Sequence, residues 1–198
     1  MSEFIYTHQD RGQARTLFLL HGTGGDEHDL IPLVEPVSEG YNIVGLRGNI
    51  SEGGMPRFFA RLAMGVFDQA SIEAETDKLA AFLARWYSEH DTDAKSTTFV
   101  GYSNGANMIL ATLLRHPTVI TNAALLHSML PFEPRELDLA GKNFLLTYGL
   151  QDVLVPIGEA QRVTAVLQSA GASVQGFAYP GGHELTHAEQ ATLLEFLS

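Results

Sequence analysis

The sequence of 198 residues contains no cysteine. This absence excludes disulfide bonds, metal sites built on thiolates and a cysteine nucleophile. Basic residues are also scarce, because 12 Lys and Arg stand against 23 Asp and Glu, which gives a formal net charge of −11. A surface of this charge repels phosphate groups, so neither nucleic acid nor an anionic membrane is an expected partner.

Long apolar segments are missing as well. The longest runs, such as residues 17–20, are much shorter than the roughly 20 residues that a membrane-spanning helix needs. The N-terminal segment MSEFIYTHQD has no basic stretch followed by an apolar stretch, so a secretory signal is not expected. We therefore predict a cytoplasmic protein without membrane insertion and, at this length, a single domain over residues 1–198.

Short apolar runs alternate with amphipathic segments along the chain. Several runs are continuously apolar, as expected for parallel strands that are buried on both faces. The predicted strands are Leu17–Leu20, Asn42–Leu46, Thr98–Val100, Ala123–Leu126, Phe144–Tyr148 and Ser173–Tyr179. The predicted helices cover residues 30–37, 72–86, 104–115, 157–170 and 186–197. This alternation indicates an α/β fold with a mostly parallel central sheet, whose ligands bind at the carboxyl ends of the strands.

The most informative motif is Gly101-Tyr102-Ser103-Asn104-Gly105, a G-x-S-x-G sequence between a predicted strand and a predicted helix. That context is typical of a nucleophile elbow, a sharp turn that exposes the serine hydroxyl above the sheet. The two glycines lack a Cβ atom, so the strand and the helix can approach closely. The alternative is a surface loop rich in small residues, because the bare motif also arises by chance.

A serine nucleophile needs a base and a group that orients the base. Asp152 follows the predicted strand 144–148, and His183 follows the predicted strand 173–179. Both positions lie at the sheet edge that carries Ser103, in the chain order expected after a nucleophile elbow. We therefore predict a catalytic triad of Ser103, Asp152 and His183, with a turn cap and an ordinary loop histidine as the alternatives for the last two.

A glycine-rich turn, HGTGG at residues 21–25, follows the first predicted strand. Such a turn can direct a backbone N–H toward a developing oxyanion. The predicted oxyanion donors are the backbone N–H groups of Thr23 and Asn104, and His21 is predicted to support the turn through a hydrogen bond. A phosphate-binding loop is the alternative, but acidic residues follow the turn and would repel phosphate.

A second motif has the sequence of a zinc site. The zinc motif H-E-x-x-H occurs at His183-Glu184-Leu185-Thr186-His187. It binds zinc only on a continuous helix, whereas Thr186 and Glu189 fit a capping box that begins a helix after His183. A zinc metallohydrolase therefore stays an alternative, as does a binding protein without activity, and we expect no metal and no cofactor. The remaining histidines, His127 among them, are expected in surface or capping positions.

Together these motifs resemble the α/β-hydrolase superfamily and, within it, the phospholipase/carboxylesterase family, which includes acyl-protein thioesterases. The likeness is greatest to its bacterial MhqD/YahD-like branch. Beyond the elbow it rests on LHGTGGDE (20–27), RGN (47–49), GGMPRFF (53–59) and GHELT (182–186). The resemblance implies an α/β-hydrolase fold and a serine esterase with catalytic Ser103, Asp152 and His183. It also implies that residues 55–59 border the substrate site.

These observations predict a carboxylesterase that acts on ester bonds (EC 3.1.1 type) through an acyl-enzyme. The segment between Leu126 and Asp152 is too short for a cap domain as well as a strand, so we expect an open site for small, short-acyl or aromatic esters. The predicted pocket consists of Met55, Arg57, Phe58, Phe59, Met129 and Leu130, with Met64 and Phe67 as further apolar candidates. The alternative for the apolar members is a place in the core.

The expected partner is a small-molecule ester, and the expected state is a monomer or homodimer. A net charge of −11 favours neutral esters over strongly anionic ones. Arg57 or Arg61 would reverse that preference locally by contacting a substrate carboxylate.

Overall fold

A seven-stranded sheet forms the centre of the protein in a computed structural model that describes residues 4–63 and 65–198. In chain order the strands are β1 (Ile5–Gln9), β2 (Thr16–Leu20), β3 (Asn42–Arg47), β4 (Ile50–Glu52), β5 (Met55–Arg57), β6 (Arg61–Ala63), β7 (Val66–Phe67), β8 (Thr97–Tyr102), β9 (Asn122–Leu126), β10 (Asn143–Gly149) and β11 (Ser173–Tyr179). The sheet order is β1-β3-β2-β8-β9-β10-β11. Only β1 runs antiparallel to its neighbour within this sheet.

The helices alternate with the sheet strands. They are α1 (Ile31–Val34), α2 (Gln69–Glu89), α3 (Asn104–Arg115), α4 (Ile157–Ser169) and α5 (His187–Leu197), with a 3₁₀ helix over Glu35–Gly40 after α1. All six predicted strands are present, and the predicted α/β class with a mostly parallel sheet is confirmed. Residues 127–142, all of them described, join β9 to β10 without a helix or strand, so no cap domain is inserted there.

Both faces of the sheet are buried by helices, which explains the continuously apolar strands. On β2, Phe18 and Leu20 belong to one core cluster, whereas Leu17 and Leu19 belong to the other. The first cluster receives side chains from α2, α3 and α4, and the second receives side chains from α1 and α5. The sheet is therefore the middle layer of three, and only its edges and strand ends remain for a site.

The helix predictions differ from the structure in two places. The predicted helix over 30–37 is α-helical only to Val34, because Pro36 has no N–H to continue the α-helical hydrogen bonds. α2 begins earlier than predicted, since the side chain of Asp68 caps it by accepting a hydrogen bond from the N–H of Ser71 at 3.2 Å. Among the described residues, no helix is long and apolar enough to cross a membrane.

Gly105 marks the closest approach between the elbow and the sheet. A Cβ atom there would lie 2.0 Å from the backbone oxygen of Leu20. We expect Gly105→Ala to lower the free energy of unfolding by about 3 kcal/mol, because backbone atoms cannot move aside as a flexible side chain can. Chemical denaturation would measure this.

Gly158→Ala is the matched control for that experiment. Gly158 lies in α4, and a Cβ atom there would have no neighbour within 4 Å. We expect its stability to stay the same or to rise by up to about 1 kcal/mol, as alanine favours a helix over glycine. Equal stability of the Gly105→Ala protein and the wild type would contradict the close approach.

Candidate active site

Ser103 occupies the sharp turn between β8 and α3. Its backbone has φ 52° and ψ −112°, a region that non-glycine residues rarely adopt. The turn is held by a hydrogen bond from the N–H of Ser103 to the carbonyl oxygen of Leu126, 2.8 Å apart. The strand–turn–helix context predicted for the elbow is therefore present, with Ser103 at the carboxyl end of β8.

The structure brings Ser103, His183 and Asp152 together in one hydrogen-bonded chain. His183 Nε2 lies 2.8 Å from Ser103 Oγ, and His183 Nδ1 lies 2.6 Å from Asp152 Oδ2. Asp152 follows β10, and His183 lies in the loop between β11 and α5. The arrangement can move a proton from the serine to the imidazole, while the carboxylate stabilises the imidazolium that forms.

The other carboxylate oxygen of Asp152 faces backbone donors. Oδ1 accepts hydrogen bonds from the N–H groups of Leu154 and Val155 at 2.8 and 2.9 Å. Burial alone would raise the pKa of Asp152. The hydrogen bonds from Val155, His127 and His183 lower it by more than burial raises it, so the pKa lies below the ordinary value. The side chain is therefore held both in orientation and in its ionised form.

His127 is a member of the site that the sequence interpretation missed. The expectation of a surface or capping position is wrong, because the side chain is fully buried at the end of β9. Its Nδ1 lies 2.8 Å from the same oxygen, Asp152 Oδ2, that His183 contacts. One signal was available: His127 directly follows a predicted strand, and Asp152 and His183 lie in the loops that follow theirs.

The predicted oxyanion donors lie beside Ser103. Thr23 and Asn104 line the same cavity as Ser103 and His183, and no described residue accepts a hydrogen bond from either N–H. Side chains hold both loops: Arg57 Nη1 donates to Thr23 Oγ1 at 2.5 Å, and the N–H of Phe58 donates to Asn104 Oδ1 at 2.7 Å. Two free backbone donors therefore border the serine.

His21 supports the glycine-rich turn through hydrogen bonds. Its Nδ1 donates to the carbonyl oxygen of Gly22, 2.6 Å away, and its Nε2 accepts from the N–H of Gly48 at 3.0 Å. The ring is therefore neutral in this tautomer. Burial lowers the pKa of His21, which favours the same neutral form. The hydrogen bond predicted for His21 is thus present.

A cavity of about 320 Å³ opens beside Ser103. Its wall consists of Thr23, Arg57, Arg61, Gly65, Phe67, Tyr102, Ser103, Asn104, Asn107, Met129, Leu154, Val155 and His183. A cavity of about 460 Å³ lies at the amino ends of the strands, near Thr98 and Asn122. Its wall contains no paired nucleophile and base. The chemistry therefore identifies the smaller cavity as the candidate site.

The residues predicted for the pocket occupy different places in the structure. Arg57 and Met129 line the cavity, as does Phe67, whereas Met55 is exposed outside its wall. Phe58, Phe59 and Leu130 belong to the buried core, so their prediction as pocket residues is wrong. Apolar residues in a loop look alike in sequence whether they face a ligand or the core. Met64 lies outside the described residues.

Two arginines give the cavity a positive wall. Arg57 and Arg61 line it, and no carboxylate belongs to its wall among the described residues. Both guanidinium groups contact Glu52, with Arg57 Nε 3.2 Å from Oε2 and Arg61 Nη2 2.8 Å from Oε1. One carboxylate thus faces two cations, so the local charge is opposite in sign to that of the whole protein.

The zinc motif does not have the geometry it needs. The side chain of Thr186 accepts a hydrogen bond from the N–H of Glu189, and the Glu189 side chain accepts one from the N–H of Thr186. This capping box begins α5 at His187 and leaves His183 in the preceding loop, so the two histidines do not share a helix face. The alternative reading as a zinc motif is therefore wrong.

Within the part of the chain that the structure describes, two groups of side chains bring metal-type ligand atoms within 4.8 Å of one another. They are His127, Asp152 and His183, and Asp26, Glu27 and His28. In the first group both Nδ1 atoms approach one carboxylate oxygen, which is the geometry of N–H donation, and a protonated nitrogen cannot ligate a metal. In the second group Glu27 is already paired with Arg47 through both oxygens.

Comparison with known proteins gives a consistent result. A sequence profile described as Phospholipase/Carboxylesterase matches residues 2–198. The putative hydrolase MhqD of Bacillus subtilis (strain 168) is 39% identical over 178 residues, which cover 88% of this chain and 89% of that protein.

Two solved structures share the fold over almost their whole length. The Bacillus cereus carboxylesterase has a TM-score of 0.92 and 35% identity, with 98% of this chain and 92% of that chain covered. The carboxylesterase from Mesorhizobium loti has a TM-score of 0.91 and 34% identity, with 98% and 94% covered. The similarity in sequence and in fold to these two proteins therefore extends over nearly the whole of this chain.

Proposed function

Since the chain belongs to the phospholipase/carboxylesterase family, we propose that it hydrolyses carboxylic esters through an acyl-enzyme formed on Ser103. The observation that supports this most directly is the double contact of His183. Its Nε2 lies 2.8 Å from Ser103 Oγ, while its Nδ1 lies 2.6 Å from Asp152 Oδ2. A base in contact with both a nucleophile and a buried carboxylate is suited to proton transfer.

In the first half-reaction, Ser103 Oγ attacks the carbonyl carbon of the ester while His183 Nε2 accepts its proton. The carbonyl oxygen becomes an oxyanion, which the N–H groups of Thr23 and Asn104 stabilise. His183 then donates the proton to the alkoxide that leaves, and the acyl group remains on Ser103. Asp152 keeps the Nδ1–H tautomer of His183 throughout, so that Nε2 is free to accept.

Water completes the second half-reaction by the same route. His183 Nε2 accepts a proton from water as the water oxygen attacks the acyl carbon. The collapse of the second oxyanion breaks the bond to Ser103 Oγ, which recovers its proton from His183. The carboxylic acid product leaves and the free enzyme is restored. All the groups needed belong to this chain, so the proposed reaction requires no cofactor.

Inhibition separates this proposal from its alternatives. We expect a serine-directed organophosphate to abolish hydrolysis of p-nitrophenyl acetate, and a chelator to leave it unchanged. Activity that survives the organophosphate and is lost with the chelator would support a metallohydrolase instead. The absence of activity toward any activated ester would support a binding protein.

The proposed substrates are small, short-acyl or aromatic esters. A cavity of about 320 Å³ without a cap domain has room for a compact ester, and Phe67, Met129 and Leu154 provide apolar contacts. We further propose a cytoplasmic, single-domain enzyme over residues 1–198 that acts as a monomer or homodimer.

Arg61 is expected to favour substrates that carry a carboxylate. Its guanidinium lines the cavity beside Arg57, in a wall without a carboxylate among the described residues. We expect Arg61→Gln to lower kcat/KM for the p-nitrophenyl hemiester of succinic acid by about 10-fold, with less than about a 2-fold change for p-nitrophenyl butyrate. The two esters are similar in size, so their comparison isolates charge.

Arg162→Gln provides the control for this substitution. Arg162 lies on α4 and pairs with Glu159 and Glu133 at the surface, away from the cavity wall. It removes the same charge from the protein, and we expect both esters to be unaffected. An equal loss for both esters in the Arg61→Gln protein would show that Arg61 does not recognise substrate charge.

A further inference from the structure

His127 shares the carboxylate of Asp152 with His183. It lies at the end of β9 with φ 56°, a conformation that His and Asn adopt more readily than most residues. Its Nδ1 is 2.8 Å from Asp152 Oδ2, and the Nδ1 of His183 is 2.6 Å from the same atom. The centroids of the two imidazole rings are 4.9 Å apart. A change of charge on one ring therefore alters the electrostatic potential at the other.

The hydrogen-bond partners of His127 determine its protonation. The carboxylate of Asp152 only accepts, so Nδ1 carries a proton. On the other side, Nε2 lies 3.0 Å from the hydroxyl oxygen of Tyr179 and 3.3 Å from Glu189 Oε1. The Tyr179 hydroxyl donates its own proton to the carbonyl oxygen of Glu184, so it accepts from Nε2. Both ring nitrogens donate, which makes His127 an imidazolium.

Several acidic groups surround the ring of His127. The titratable groups that face it are Asp152 from the loop after β10, Glu189 from α5, Glu184 and His183 from the loop after β11, Tyr179 from β11 and Tyr102 from β8. Burial alone would lower the pKa of His127, but hydrogen bonds with Glu189 and Asp152 raise it above the ordinary value. The electrostatic surroundings therefore agree with the proton count.

We propose that His127 is a positioning residue whose positive charge, acting through Asp152, lowers the basicity of His183. Two imidazolium ions that share one carboxylate repel each other, so the charge on His127 disfavours protonation of His183. The neutral form of His183 is the one that accepts the serine proton. This inference rests on the proposed function, because it assigns His183 the role of base.

His127→Asn tests the proposal. Asparagine tolerates the positive φ and retains a neutral donor toward Asp152, but it carries no charge. We expect the acidic limb of the pH profile of kcat/KM to move upward by about one pH unit. A purely structural role would lower kcat or stability and leave the limb in place, so an unmoved limb would overturn the proposal.

Two further variants serve as controls for the His127→Asn experiment. His187→Asn makes the same substitution at an exposed position of α5, and we expect its profile to match the wild type. Where His127→Asn alone fails to fold, Glu189→Gln is added, because it removes the carboxylate left without its cation and still suits a capping box. We expect the double variant to show the same upward shift, and a wild-type profile in it would contradict the inference.

A measurement without substrate separates this inference from the proposed function. Nitrogen NMR of the wild-type histidines is expected to show both ring nitrogens of His127 still protonated at a pH above the ordinary histidine pKa. A neutral ring would overturn the inference even in an active esterase. Conversely, a protein that hydrolyses no ester but shows a charged His127 would refute the function and leave the charge assignment intact.

Discussion

Ser103→Ala is expected to lower kcat/KM for p-nitrophenyl acetate by about 10⁴-fold or more, because the proposed acyl-enzyme forms on this hydroxyl. The 2.8 Å contact with His183 Nε2 is the structural reason, since through it the base takes the proton of the attacking hydroxyl in the first half-reaction. Steady-state kinetics on purified protein would measure the loss. The effect should fall on kcat, as alanine leaves the cavity wall and the oxyanion donors in place.

Stability provides the control for this experiment. Ser103 has φ 52°, which is strained for alanine as much as for serine, so the free energy of unfolding should change by less than about 1 kcal/mol. Ser103→Gly relieves the strain and is expected to be equally inactive. Activity above about one hundredth of the wild type in either folded variant would contradict a serine nucleophile.

Sequence reasoning placed the three residues of the proposed triad together because one rule covers them all. Ser103, Asp152 and His183 each follow a predicted strand, and parallel strands place their carboxyl ends on one side of the sheet. The apolar runs are easy to recognise because both faces of the sheet are covered by helices. The edge strand β1 has no such run, since its residues are partly exposed, and it was therefore missed.

The same rule also applies to His127, yet its partners are invisible in the sequence. Asp152 and Glu189 lie far along the chain, and no local motif joins them to His127. The prediction of Phe58 and Phe59 as pocket residues was wrong for a related reason. Phe58 and Phe59 follow β5 in a loop, and only the tertiary fold decides that both turn into the core. Spacing in sequence predicts which strand end a residue occupies, but not which way its side chain faces.

Asp152→Asn is expected to lower kcat/KM by about 10⁴-fold, and the hydrogen bonds around the carboxylate explain why. Oδ1 accepts from two backbone N–H groups, those of Leu154 and Val155, so an amide would have to place its oxygen there. The amide NH₂ would then occupy the Oδ2 position, facing the Nδ1 atoms of both His127 and His183. A donor at that position forces His183 to accept at Nδ1 and to carry its proton on Nε2.

In that tautomer Nε2 cannot accept the proton of Ser103, so catalysis fails although the hydrogen-bonded chain looks intact. The free energy of unfolding should also fall by about 3 kcal/mol, because the buried imidazolium of His127 loses a counter-ion. Asp138→Asn is the control. This exposed residue precedes β10 and so lies toward the amino ends of the strands, whereas Ser103 lies at their carboxyl ends. If a folded Asp152→Asn protein kept most of its activity, Asp152 would not set the tautomer of His183, and the base would have to be oriented by another group.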